Sequence, residues 1–250
     1  LDPAGRVGAK LGVLDWLELL GNVGRYVRVP TLGELYGSAP LVRGNPALEP
    51  ESGTTVDLGL RAFGGDPGTG LSGYLDAFAF RRWVRDLVTY RRSFRQLIPF
   101  NVGQARVQGI ELASELRWRE ALRAQLAATL MDPRDTSPDR TLDNDILPLH
   151  SRLTLMHFVE GALHPTWSGL DRVALGVRVM HRSSRYQDPA GLITIPHQTT
   201  VDALLSVLAL DESLALRATV ENLFDREQWD MIGMALPGRV LFASAEVLLR

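Results

Sequence analysis

The sequence predicts an all-β protein, an antiparallel transmembrane β-barrel wall of about eleven strands. Three observations predict it. First, apolar and polar residues alternate with period two along most of the chain. The clearest run sets Val56, Leu58, Leu60 and Ala62 against Asp57, Gly59 and Arg61. Such alternation marks a strand with one apolar and one polar face. Second, the connections sort by parity. Short ones fall at 14–15, 64–70, 119–120, 161–170 and 211–213, and long ones at 27–50, 92–101, 132–149, 187–196 and 223–238. Short turns at one rim and long loops at the other are the pattern of a membrane barrel. Third, the chain has no apolar run of about 18 residues, so it carries no spanning helix, whereas a spanning strand needs only about 9–11 residues.

The strands follow in order. Residues 6–13 and 16–26 form a first hairpin, with Leu17, Leu19, Gly21 and Val23 on one face. Residues 27–50 are rich in Gly and Pro and hold no periodic run, which makes them a loop. Strand 55–63 leads through the Gly-rich turn 64–70 into the apolar stretch 71–91. A helix is the alternative there, because residues 81–85 fit either period, and the β-like neighbours favour a strand. Residues 101–118 alternate again, as do 122–131, where strict alternation outweighs the helical propensity of the alanines. Strands 151–160, 173–186, 199–210, 214–222 and 240–249 complete the set. On the last pair Leu214, Leu216 and Val220 share the apolar face expected to meet lipid, and Arg217 and Glu221 the face expected to line a lumen with Asp57 and Arg61. Trp16 and Trp118 sit beside short turns, where an aromatic girdle would lie.

Composition narrows the function. The 250 residues carry 27 basic and 29 acidic side chains, a net charge of −2. There is no basic excess to attract nucleic acid. Cysteine is absent, which removes disulfides and thiolate metal sites. The five histidines, at 150, 157, 164, 181 and 197, have no metal-ligand spacing. Asp143, Asn144 and Asp145 lack the spacing of a calcium loop. The glycines at 64–70 lack the Gly-Lys-Ser/Thr ending of a phosphate loop, and no nucleophile elbow is present. No metal, cofactor or catalytic residue is therefore expected, and the chain reads as a non-enzyme. Residues 1–20 lack the order of a signal peptide, so the natural N-terminus is expected to lie upstream.

Five segments, in order, carry a resemblance: Gly24 to Gly37, which holds Arg28, Pro30, Thr31, Glu34, Leu35 and Tyr36; Gly44 to Glu51, with Asn45, Pro46 and Leu48; Asn101 to Glu111, with Gly103, Ala105 and Gly109; Asn222-Leu223-Phe224-Asp225; and Pro237-Gly238-Arg239. Together they resemble the C-terminal part of the barrel of TonB-dependent outer-membrane receptors. The resemblance implies a 22-stranded barrel around an N-terminal plug. It implies a cell outer membrane location, outer-membrane lipid as a neighbour, the TonB complex as a partner through the N-terminal part, and uptake of a scarce ligand such as a ferric siderophore or cobalamin. The plug and first strands are not found, so residues 1–250 are expected to be the C-terminal half. Members often end on an aromatic residue, and here Leu249 stands near that position.

The ligand-binding candidates are Arg28, Glu34 and Tyr36, from the motif, and Arg81 and Arg85. The last two belong to a basic cluster with Arg82, Arg91 and Arg92 near Tyr90 that suits an anionic ligand. A structural role for the motif residues and simple solvation of the arginines are the competing readings. Pro30, Asn45, Pro46, Glu51, Gly109, Glu111 and the residues of the last two segments are expected to be structural. The loops 27–50, 132–149 and 223–238 are expected to form the outer binding surface. The other function classes are a soluble all-β binding protein, such as a sugar-binding sandwich, and an all-β hydrolase. A hydrolase would need a facing carboxylate pair, and Glu111 and Glu115 are only same-face strand neighbours.

Overall fold

The structure is a computed structural model, and it describes residues 3–38, 42–93, 96–138, 145–166 and 169–248. Asp143, Asn144, Leu249 and the Arg92 side chain lie outside the described residues.

A single antiparallel sheet of 11 strands dominates. Its first members are β1 (Gly5–Leu14), β2 (Leu17–Arg28), β3 (Glu51–Asp66), β4 (Leu71–Ser93), β5 (Gln96–Trp118), β6 (Leu122–Asp135), β7 (Leu153–Leu163) and β8 (Leu170–Arg182). Two short ribbon strands follow, β9 (Arg185–Tyr186) and β10 (Thr194–Ile195), then β11 (Gln198–Ala209) and β12 (Leu214–Glu221). A second ribbon, β13 (Trp229–Met231) with β14 (Met234–Ala235), precedes β15 (Val240–Val247). The sheet order is β1-β2-β3-β4-β5-β6-β7-β8-β11-β12-β15. One continuous sheet rules out the two packed sheets of a sandwich.

Register follows the sequence pattern because directly opposite residues share a face. Val23, Val56, Leu58, Leu60, Leu75, Ile110, Leu112 and Leu130 fall on one face. Leu214, Leu216, Val220, Leu241, Ala243 and Ala245 continue it at the far end. The other face carries charge already paired. Asn22 donates to Asp57 at 2.8 Å, and Arg61 grips Asp76 through two bonds of 2.7 Å. Arg123 and Gln125 converge on Glu115 at 2.8 and 2.6 Å. Arg172 meets Glu160 at 2.6 Å, and Arg178 meets Asp202 at 3.4 Å. Glu111 stays exposed on this polar face, between Phe78 and Thr129.

The structure moves several sequence-based boundaries. Residues 92–101, expected to be a loop, continue β4 and β5 into a tall hairpin that pairs as far as Ser93 and Gln96. The stretch 71–91 is strand rather than helix, because its partners on both sides pair with it over its length. The strand expected at 173–186 ends at Arg182, and residues 185–186 leave the sheet to pair with β10. β6 runs on to Asp135. The loop 27–50 hides a one-turn helix, α1 (Leu32–Tyr36). Thr31 and Glu34 form a capping box around its first turn, a Thr-x-x-Glu signature present in the sequence.

Family-motif residues have structural partners. Gly109 lies so close to β6 that a Cβ would stand 2.2 Å from the Leu130 carbonyl oxygen. Asn101 donates to the carbonyls of Asp86 and Glu49 at 2.7 and 3.1 Å, and so ties down an irregular step where Asp86 takes φ +54°. Asn45 donates to the Pro99 carbonyl at 3.0 Å, and Pro46 follows it in the turn that buries Leu48. Pro30 is buried beside α1. Asn222 is buried, accepts the Arg226 N–H at 2.9 Å and donates to the Arg226 carbonyl at 2.8 Å. Leu223 donates its N–H to the Val201 carbonyl, and Phe224 is left exposed. Asp225 accepts the Arg239 N–H at 2.8 Å across the loop, and a Cβ on Gly238 would meet that carboxylate at 2.5 Å. Pro237 stays exposed beside them.

Candidate functional site

The long-loop rim holds two polar clusters on the polar-face side. The first gathers motif residues. Glu34, on α1, accepts from the Thr31 N–H at 2.7 Å, from the Arg28 guanidinium at 3.2 Å and from the Tyr90 hydroxyl at 3.1 Å. Glu51, the first residue of β3, accepts from the Tyr26 hydroxyl at 2.9 Å, the Arg28 Nε at 3.4 Å and the Val88 N–H at 3.2 Å. Both carboxylates are buried, and Arg28 lies between them. Burial pushes the Glu34 carboxyl up, but the Thr31 N–H and the Arg28 charge outweigh it and hold it below the usual carboxylate range. These carboxylates are well satisfied, so the cluster locks α1 to β2, β3 and β4.

The second cluster surrounds Arg185. The side chain is only 5% exposed, and its Nη2 donates to the carbonyls of Trp229 and Asp230 at 2.9 and 3.0 Å. Its Nη1 is buried without a partner. Burial first, then the neighbouring Arg182 charge, pull its pKa below the ordinary guanidinium value. Arg remains charged in proteins, so this is a cation held in a poorly solvating place. It lines a cavity of about 440 Å³ with Tyr90, His150, Ser151, Arg182 and Asp230. The Ser151 hydroxyl is also buried and unpartnered. Arg182 meets the Asp230 carboxylate at 3.7 Å, while Arg185 holds only the backbone carbonyl of that residue.

Loop stitching positions this cluster. Gln187 is buried, accepts the Ile232 N–H at 2.7 Å and donates its own N–H to the Ile193 carbonyl. Gln198 donates to the Trp229 carbonyl at 2.8 Å, and the Leu149 N–H reaches the Tyr186 carbonyl at 2.7 Å. Residues 149–151, 182, 185, 230 and 231 thus converge on one cavity wall.

The structure brings Arg28 and Glu34 together but separates the other candidates. Tyr36 is 74% exposed and outside the cluster. Arg81 stands opposite Val56, and Arg85 opposite Ser52, so the register puts both on the apolar face, away from the cavity. Sequence reading missed Arg185, Arg182 and Ser151. Arg185 stood inside an expected strand, and nothing local marks an arginine whose partners come from residues 229–230. Among the described residues no group of three or more His, Asp and Glu is placed to hold a metal. His181 pairs with the Thr199 hydroxyl at 2.8 Å, and His164 with Glu120 at 3.2 Å.

Comparison with known proteins agrees with this architecture. Residues 4–223 match the family described as TonB dependent receptor-like, beta-barrel. The chain is 26% identical over 228 residues to the vitamin B12 transporter BtuB of Vibrio vulnificus, covering 88% of this chain and 32% of that protein. The BtuB of Photobacterium profundum is 23% identical over 218 residues, with 84% and 32% covered. Among solved structures, the copper transporter OprC superposes with a TM-score of 0.69 at 18% identity, over 98% of this chain and 39% of that one. The ferric yersiniabactin uptake receptor FyuA from Yersinia pestis gives 0.67 at 19% identity, over 96% and 35%. The chain therefore spans about a third of the length of these curated relatives. A matched stretch that runs through ten of the sheet's eleven strands, and the motif residues held in it, place the chain in the TonB-dependent receptor family, as part of its β-barrel.

Proposed function

We propose that these residues form the C-terminal part of the wall of an outer-membrane receptor in a Gram-negative cell. The receptor takes up a scarce ligand, such as a ferric siderophore or cobalamin, and is driven by the TonB complex through a plug outside this chain. The ligand meets the Arg185 cavity through an anionic group. The observation that carries this reading is the buried, incompletely bonded Arg185 guanidinium facing a cavity at the long-loop rim. A carboxylate, phosphate or catecholate oxygen would satisfy Nη1, and a charge-assisted bond in a poorly hydrated site is a strong one. The names of FyuA and BtuB support the ligand class, and the coverage of the relatives supports the partial wall.

The apolar face would then meet lipid. From Leu122 to Leu130 it runs about 26 Å at about 3.3 Å per residue, or about 20 Å along the normal at a tilt of about 40°. That suits the apolar band of an outer-membrane barrel, about 25 Å tall.

The test is uptake by the complete receptor in cells lacking their own receptors, with a panel of ferric siderophores and cyanocobalamin. Arg185→Met should abolish uptake of the accepted compound while unheated gel migration still shows a folded barrel. Full uptake by this variant rejects the site. Separately, a cysteine at position 58 should react with a lipid-phase reagent, and aqueous labelling there rejects the assigned face.

A further inference from the structure

We propose that the polar face carries a binding site for a soft monovalent metal ion of the Cu+ class, built on the paired methionines Met156 and Met180. The proposal rests on the reading above in one respect, that the polar face lines a water-filled interior, and it does not depend on what Arg185 binds.

The chain has five methionines and no cysteine. Met156 on β7 and Met180 on β8 are direct register partners. Met231 and Met234 are partners in the β13–β14 ribbon, and Met131 on β6 lines the Arg185 cavity together with Met231. Register puts all three sheet methionines on the polar face. Met131 lies two residues beyond the Thr129–Glu111 pair, and Met156 and Met180 lie two residues from the Phe158–Arg178 pair, whose Arg178 meets Asp202. Thr154 and Arg182, also register partners, belong to the cavity wall. The next pair on that face, toward the short-turn rim, is Met156 and Met180. The thioethers therefore continue inward from the floor of the cavity.

Opposite residues of an antiparallel pair hold their Cβ atoms about 4.5–5.5 Å apart. Methionine is unbranched and has three rotatable bonds, so two such side chains can close on one ion at a metal–sulfur distance of about 2.3 Å. Met180 is 44% exposed, which leaves the pair open to the interior. Guanidinium groups flank the pair, and each is already matched: Arg182 by Asp230 at 3.7 Å and Arg178 by Asp202 at 3.4 Å. Asp202 also accepts the Asn222 N–H at 2.9 Å.

The chemistry selects the occupant. Thioether sulfur is a soft, uncharged ligand and suits Cu+. Calcium and magnesium take oxygen ligands, and zinc takes thiolate, imidazole or carboxylate. Among the described residues no group of three or more His, Asp and Glu offers those ions a site. A monovalent ion also meets half the repulsion from the neighbouring arginines that a divalent ion would meet. The usual part of methionine, filling gaps in an apolar core, suits the buried Met231 and not the exposed Met180.

The experiment uses the complete receptor, purified in mild detergent without oxygen and titrated with Cu+ against the chromophoric chelator bathocuproine disulfonate. The wild type should hold about one Cu+ more than the Met156→Leu, Met180→Leu double variant, which separates this site from any elsewhere in the receptor. Each single change should weaken that binding at least about tenfold, the loss that even an outer-shell change costs a metal site. X-ray absorption should show sulfur neighbours that the double variant loses. Binding should stay level between about pH 5 and 8, because thioethers do not titrate, whereas a histidine site would lose metal as the ring protonates. Leucine conserves volume, so gel migration should remain that of a folded barrel. If the double variant does not fold, the single variants with normal migration decide. Unchanged Cu+ stoichiometry and affinity in the variants, nitrogen or oxygen neighbours only, or displacement of Cu+ by equimolar Zn2+ overturns the proposal. If a cysteine at position 180 labels only from lipid, the reading of the face fails first. If it labels from water and the variants bind Cu+ unaltered, only the metal site fails, and the Arg185 reading stands apart from both.

Discussion

The Glu34–Glu51 cluster and the Arg185 cavity sit at the same rim and use the same kinds of group, yet they are finished to different degrees. Each buried carboxylate of the first has at least three donors, all from this chain. The buried guanidinium of the second has two carbonyls, an idle Nη1 and a second cation beside it. A complete set of partners marks a joint of the scaffold. An incomplete set, in a cavity, is what the proposed ligand would complete. The motif residues attracted attention in the sequence because they match one family segment together, and in the structure Arg28 and Glu34 bond to each other as a brace.

The comparison breaks most readily at Glu51. Glu51→Ala would leave the Tyr26 hydroxyl, the Val88 N–H and one side of Arg28 without an acceptor, at a cost of about 3 kcal/mol. The midpoint of heat-induced loss of compact gel migration should fall clearly. An unshifted midpoint would show that the brace is ornamental.

Acid sharpens the contrast. The Glu34 carboxyl is held below its ordinary value, so its contribution is fully present above the unfolded carboxylate pKa of about 4.3 and is lost as pH falls through the lower folded value. Stability should therefore be level from neutral pH to about 5 and decline below that. In Glu34→Gln that acid limb should flatten, measured by the same midpoint across pH.

The smallest stability effect is expected at Arg185. Replacing an unpaired buried cation by Met removes a desolvation cost along with two hydrogen bonds to carbonyls, so the change should stay within about 1 kcal/mol of zero. Loss of uptake without loss of stability would separate the two clusters cleanly. A loss of several kcal/mol would make Arg185 a second brace.

The wall was legible in the sequence, and the cavity was not. Alternation assigned the faces of β3 and β12 correctly, because a period of two survives any tertiary context. The hairpin above residue 91 was expected to be a loop, whereas Pro99 sits fully buried within β5 and Asn101 ties it to β4. The facing of Arg81 was lost for a different reason. It follows from register with Val56, and register joins strands whose pairing the sequence does not print. Arg185 needed contacts from 44 and 45 residues away.

The tall β4–β5 hairpin gives the opening a slope. Ser93 lies 12 residues beyond Arg81, about 40 Å along the strand and about 30 Å in height. β12 and β15 are only 8 residues long each, against 23 each for β4 and β5. A bulky visitor arriving from outside would thus be screened on one flank and admitted over the other. Approach direction, and not only fit, would sort what reaches the interior.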